Sequence, residues 1–159
     1  VELRPLAHAD IEALRVWRND EANSRYIRKI PYVSPEAQEK WFEGYLSDEA
    51  VYSFAICVDG RLVGSVSLYD PEGSSIEFGK LMVGAGKGRG VGKKATKAAL
   101  ALAFDVLGFD EVKAEVSVDN TTALIIYTRV GFSITGRRYN ELAEMDEFTI
   151  LLEKADFRR

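Results

Sequence analysis

Gly84-Ala85-Gly86-Lys87-Gly88-Arg89-Gly90-Val91-Gly92 puts five glycines into nine residues, between two segments of different periodicity. Before it, Ser75 to Val83 reads as a strand. After it, Lys93 to Leu107 carries Ala95, Ala98, Ala99, Leu102 and Val106 on one helical face and stops at Gly108. Glycine lets a backbone turn tightly and point successive N–H groups into one concavity. At a helix N-terminus, free N–H groups and the helix dipole make that concavity attractive to an anion. Lys87, Arg89, Lys93 and Lys94 add formal charge there. A solvated, hairpin-like loop is the plain alternative. No Gly-Lys-Ser/Thr follows at the Walker spacing, and no acid stands where a dinucleotide fingerprint needs one.

The same punctuation runs outward in both directions. Upstream, Tyr52 to Val58 and Leu62 to Tyr69 flank Asp59-Gly60, a two-residue hairpin signal of type I′. Asp70-Pro71-Glu72-Gly73 reads as the next turn. Ser34-Pro35 starts a helix, with Trp41 and Tyr45 one turn apart. Residues 20–33 read as an irregular connection after a helix carrying Ile11, Leu14 and Trp17, itself preceded by a short edge strand, Val1 to Arg4. Downstream, Glu111 to Val118, Phe132 to Asn140 and Phe148 to Glu153 read as strands. Residues 120–130 conflict: Thr121, Thr122, Ile125, Ile126, Thr128 and Val130 favour a strand, whereas Asn120 and Gly131 are good helix caps. The caps and the missing alternation predict a short helix.

Composition bounds the function. Among 159 residues, 47% are apolar, so a core is available and wholesale disorder is excluded. The net charge of −4 argues against nucleic acid as partner, because backbone binding needs clustered cations. One cysteine, Cys57, excludes an internal disulfide and a cysteine zinc site. One histidine, His8, makes a histidine-based triad or metal site improbable, and both residues read as structural. No run reaches the ~18 apolar residues of a spanning helix, and the amino end lacks a signal peptide's apolar stretch. The expectation is a cytoplasmic single domain over residues 1–159, without membrane, nucleic-acid or metal partners, as a monomer or homodimer.

Lys87-Gly88-Arg89-Gly90-Val91-Gly92 resembles the Gln/Arg-x-x-Gly-x-Gly/Ala loop of the GNAT superfamily of N-acetyltransferases, with Lys87 at the Gln/Arg position. Leu81-Met82-Val83 is similar to the strand that lies along pantetheine in that family. Asn120, Ala123, Tyr127, Gly131 and Phe132 resemble its second signature, Asn-x-x-Ala-x-x-x-Tyr-x-x-x-Gly-Phe. The resemblance covers nearly the whole chain. Leu3-Arg4-Pro5-Leu6, Trp17-Arg18-Asn19 and Trp41-Phe42 are similar to the branch holding ribosomal-protein N-terminal, spermidine and aminosugar acetyltransferases.

The resemblance implies an α/β (α+β) fold: a mixed, mostly antiparallel sheet of six or seven strands, about four helices, and a splay beside the third long strand. It implies acetyl-CoA as cosubstrate, with Leu81, Met82, Val83, Lys87, Gly88, Arg89, Gly90, Val91, Gly92 and Lys93 along it. It implies that the Asn120 amide holds the pantetheine arm, although helix capping accounts for Asn120 equally well. Arg129 is either a phosphate contact or a solvated arginine.

Acetyl transfer to an amine needs a neutral nucleophile, a polarised carbonyl and a proton for the leaving thiolate. The family places its general acid at the position of Tyr127. A phenol with a pKa of about 10 suits a thiolate whose acid has a pKa of about 8.5. Period-two alternation puts Glu77 on one face with Gly79, Leu81 and Val83, and Ile76, Phe78 and Met82 on the other. Glu77 is the candidate base, with a salt bridge to Lys80 as its structural alternative. The expected acceptor is a small-molecule amine, an aminosugar or a polyamine. A protein N-terminus, or a non-catalytic CoA-binding sensor, is the alternative. An acidic pocket would suit a polyamine; Arg25 and Arg28 lining it would suit a nucleotide-sugar.

Overall fold

The computed structural model describes residues 1–27 and 31–159. In chain order the elements are β1 (Glu2–Pro5), α1 (Ile11–Asn19), α2 (Glu21–Ser24), α3 (Pro35–Leu46), β2 (Val51–Val58), β3 (Arg61–Glu72), β4 (Ser75–Val83), α4 (Val91–Ala101), β5 (Glu111–Ser117), α5 (Thr121–Val130), β6 (Ser133–Asn140) and β7 (Met145–Glu153). The strands form one sheet in the order β1-β2-β3-β4-β5-β7-β6. All neighbours are antiparallel except β4 and β5, which pair in parallel only from Ser75↔Glu111 to Glu77↔Lys113. Beyond Glu77 the two strands part, which is the expected splay.

Local chemistry accounts for the boundaries. Asp59 and Gly60 take φ of 51° and 73°, as the type I′ hairpin requires. Ser34 Oγ accepts the Ala37 N–H at 3.1 Å and opens α3, with Pro35 in the first turn. The conflict over 120–130 resolves as the helix α5, because Asn120 Oδ1 accepts the Ala123 N–H at 3.2 Å and Gly131, at φ 116°, closes it. Two satisfied ends outweigh a β-branched interior whose local preference amounts to a few tenths of a kcal/mol per residue.

Four expectations need correction. Strand β3 runs through Pro71 to Glu72, and the turn falls at Gly73; the register skips between Tyr69 and Glu72, so the proline sits where no ladder donor is needed. Residues 20–33 include a helical turn, α2, whose Ala22 N–H donates to the Asp20 side chain. The helix after the glycine loop is α only to Ala101, then widens into a π turn over Leu102–Val106, with the Leu107 N–H donating to Leu102 O. The fourth correction matters most. Strand β4 carries a bulge at Lys80, which sits at φ 53°. Ser67 pairs with Gly79 and Ser65 with Met82, so two steps on β3 match three on β4. The extra residue reverses the alternation. Ile76 and Phe78 join Leu81 and Val83 on the α4/α5 side, whereas Met82 packs with Leu6, Ile11 and Leu14 on the α1/α3 side.

The sheet therefore separates two apolar clusters. The larger is centred on Phe78, Phe104, Leu100 and Leu152, each at most 1% exposed. Burying such a side chain is worth roughly 1.5–3 kcal/mol. The smaller holds α1 and α3 on the opposite face, and Cys57 is buried within it. His8 lies outside, exposed, against Glu39 at 2.7 Å. No described helix is long and apolar enough to cross a membrane.

Candidate active site

The glycine loop leaves β4 under tight constraint. The Gly84 and Ala85 N–H groups both donate to Val63 O, at 2.8 and 3.1 Å, and a Cβ on Gly84 would lie 2.0 Å from Trp17 Cδ2. Gly86, Gly88 and Gly90 then adopt φ of 69°, 82° and 71°. Among the described residues, no N–H from Gly86 to Gly90 finds a protein acceptor. Helix α4 starts directly from Gly90 with no side-chain cap, so the donors of its first turn are also free. Val91 is buried and pins this turn to the core. Arg89, Lys93 and Lys94 are exposed and unpaired among the described residues. The Lys87 ammonium contacts Asn23 Oδ1 on α2. A run of free donors beside three unpaired cations fits the diphosphate end of CoA.

Helix α5 presents the second group. The Asn120 oxygen caps the helix, while its amide nitrogen has no protein acceptor among the described residues, so capping leaves the donor available. The Tyr127 ring is buried, edge-on to Phe78 at 5.7 Å and tilted on Phe132 at 5.7 Å. Burial pushes its phenol up to about 12. No fully buried side-chain polar atom among the described residues lacks a partner, and the Tyr127 hydroxyl makes no protein hydrogen bond, so the hydroxyl opens to solvent. Arg129 is exposed in the last turn of α5.

Glu77 forms the last parallel pair before the splay. It lines a cavity of about 190 Å³ with Lys113, Glu115, Thr135 and Thr149. Burial first, and Glu115 second, raise its carboxyl above the usual range, with Lys113 opposing. Lys80 does not pair with it; the Lys80 ammonium sits over the Tyr69 ring at 4.5 Å. Tyr127 packs on Phe78, which faces away from Glu77, so the candidate acid and base occupy opposite sides of β4 at the splay.

A larger cavity, about 450 Å³, lies between the sheet and α1 and α3. Its walls are apolar, from Leu6, Leu14, Ile27, Trp41 and Met82. Ser53, Ser65 and Ser67 supply hydroxyls, with Ser53 and Ser67 bonded to each other at 2.9 Å. Among the described residues, its charged lining side chains are Arg18 and Lys80. Sequence reading missed both. Arg18 falls four residues after Leu14 and seven after Ile11, on the buried stripe of α1, which was a legible signal. Lys80 enters only because of the bulge. Arg25, one of the two arginines expected here, is exposed and stacks on Tyr26 at 5.0 Å; Arg28 lies outside the described residues.

Comparison with known proteins places this geometry. A family model described as an acetyltransferase (GNAT) domain matches residues 1–133. The spermidine N(1)-acetyltransferase of Escherichia coli K12 is 27% identical over 143 residues, covering 89% of this chain and 77% of that protein. The L-amino acid N-acetyltransferase AaaT of the same strain is 24% identical over 140 residues, covering 84% and 86%. Among solved structures, a Vibrio cholerae spermidine N-acetyltransferase in complex with CoA and spermine superposes with a TM-score of 0.88 at 22% identity, covering 98% of this chain and 96% of that one. The splayed sheet, the donor-rich loop and the matched span agree: this chain belongs to the GNAT acetyltransferase family.

Proposed function

We propose that the chain moves an acetyl group from acetyl-CoA directly to the primary amine of a small molecule, both substrates being bound together. One observation carries the reading: a run of unpaired N–H donors at the uncapped start of α4, at the end of the strand that splays from β5. The backbone of Gly86 to Gly92, with Arg89, Lys93 and Lys94, holds the diphosphate of the coenzyme. The coenzyme supplies an activated acyl carbon and a thiolate leaving group. Leu81, Met82 and Val83 lie along its arm, which the free Asn120 amide donates to, while Arg129 offers a cation at the rim.

In the transfer, the amine nitrogen bonds to the acyl carbon as the carbon–sulfur bond breaks. Tyr127 gives its proton to the departing sulfur, and its elevated pKa keeps it protonated throughout the working range. Glu77 takes the proton lost by the amine, through water at the mouth of the splay. A carboxyl raised by burial is a better base near neutral pH than an ordinary one. The amine-acetylating relatives support a small-molecule acceptor over a protein N-terminus. The test is thiol release from acetyl-CoA across a panel of small amines and an N-terminal peptide. Release that depends on a small amine supports the reading; coenzyme binding without release under any amine refutes it.

A further inference from the structure

The charge of the larger cavity is one-signed. Arg18 and Lys80 line it, and no carboxylate does among the described residues. Arg18 is half-buried on α1, and burial lowers its pKa from the usual guanidinium value. Lys80 is presented by a backbone conformation that a lysine adopts only under constraint, at φ 53°. Its ammonium rests on the Tyr69 ring at 4.5 Å, and Lys80 lines the cavity. A polycation entering this space would meet like charge. Apolar walls and serine hydroxyls complete a site with room for a small organic molecule.

We infer that the acceptor is a primary amine bearing an anionic group, a carboxylate or a phosphate, and that Arg18 and Lys80 select it. This rests on the transferase reading and names the substrate class within it. The two cations also disfavour the ammonium form of the acceptor, which raises the fraction of nucleophilic amine.

The experiment measures kcat/KM for matched acceptors: L-leucine against L-leucinamide, glucosamine 6-phosphate against glucosamine, and spermidine alone. In each pair the amine is kept and the anion removed. The anionic member of at least one pair is expected to be favoured tenfold or more, mainly through KM, and the favoured pair tells carboxylate from phosphate. Arg18→Gln and Lys80→Gln should each shrink that ratio toward one. A variant that merely folds badly lowers both members of a pair and leaves the ratio intact, so unchanged ratios in both variants overturn the assignment. Spermidine or the neutral twins serving as well as the anions overturn the inference while the transferase reading stands. Absence of release with every amine, in protein shown by calorimetry to bind CoA, removes the transferase reading and this one with it.

Discussion

Replacing Gly92 by Asp tests the coenzyme cradle with little risk to the fold. A Cβ built on Gly92 meets nothing within 4 Å, and the residue lies in the first turn of α4, where an aspartate is sterically and electrostatically acceptable to the helix itself. The expected damage is therefore confined to a bound anion. Two unit charges about 5 Å apart near a protein surface repel by roughly 1–3 kcal/mol, for effective dielectric constants between water and the protein boundary. That corresponds to a dissociation constant raised by about 5- to 150-fold. Gly92→Asn is the matched control, similar in shape and uncharged, and should cost far less. Calorimetric titration of CoA into both variants reads the difference, and high salt should narrow it by screening. Equal affinities for the Asp and Asn variants, both folded, would show that no diphosphate lies at this helix terminus.

Three further outcomes follow from the same geometry. Tyr127→Phe keeps the ring contacts with Phe78 and Phe132, so thermal stability and CoA affinity should change little while kcat falls by roughly 10²–10⁴; a near-normal kcat, with chemistry limiting turnover, excludes the acid role. Glu77→Gln should lower kcat/KM most at low pH and recover as the free amine becomes abundant; because the folded carboxyl is raised, its contribution to stability is present at low pH and lost as pH rises through the folded value, so the variant should be no less stable at neutral pH, and a defect equal at every pH would indicate acceptor binding instead. Asp10 accepts from Arg4 at 2.7 Å on both oxygens and from the Ala7 N–H at 2.8 Å, which lowers its pKa, so Asp10→Asn should cost about 1.5–3 kcal/mol by denaturant unfolding at neutral pH, and that cost should vanish as pH falls through the depressed carboxyl pKa of the native protein.

Much of this was legible because the deciding signals are local. Asp59-Gly60 needs positive φ at both positions, and an Asp-Gly pair tolerates that, so the hairpin followed directly. Ser34 and Asn120 cap helices with side-chain oxygens that reach only three residues ahead. The free loop donors follow from glycine alone. What escaped depends on partners distant in sequence. The Lys80 bulge is imposed by the pairing of β4 with β3, and a lysine gives no local hint of positive φ. Lys87 contacts Asn23 across 64 residues, so that contact has no signature in the loop. The π turn at Leu102–Val106 accommodates the packing of Ala103 and Phe104, both essentially unexposed, and periodicity cannot see one inserted residue.

The bulge also explains how one strand serves both apolar clusters. In a regular strand Phe78 and Met82 would share a face, as alternation predicts, and everything between would be committed by parity. One extra residue at Lys80 breaks that commitment at the height where β4 leaves β5. Below it, Phe78 supports the Tyr127 ring on the α5 side. Above it, Met82 turns to the α1/α3 side and lines the larger cavity, while Leu81 and Val83 face the other cluster on the way to the glycine loop. The same residue that shifts the register also carries the ammonium to the cavity edge. Positive φ at a lysine is costly on its own, of order 1 kcal/mol, and persists only where the surrounding ladder over-determines it. Here the β3–β4 pairing on both sides of the bulge supplies that constraint, which ties the strain at Lys80 to the height where β4 leaves β5.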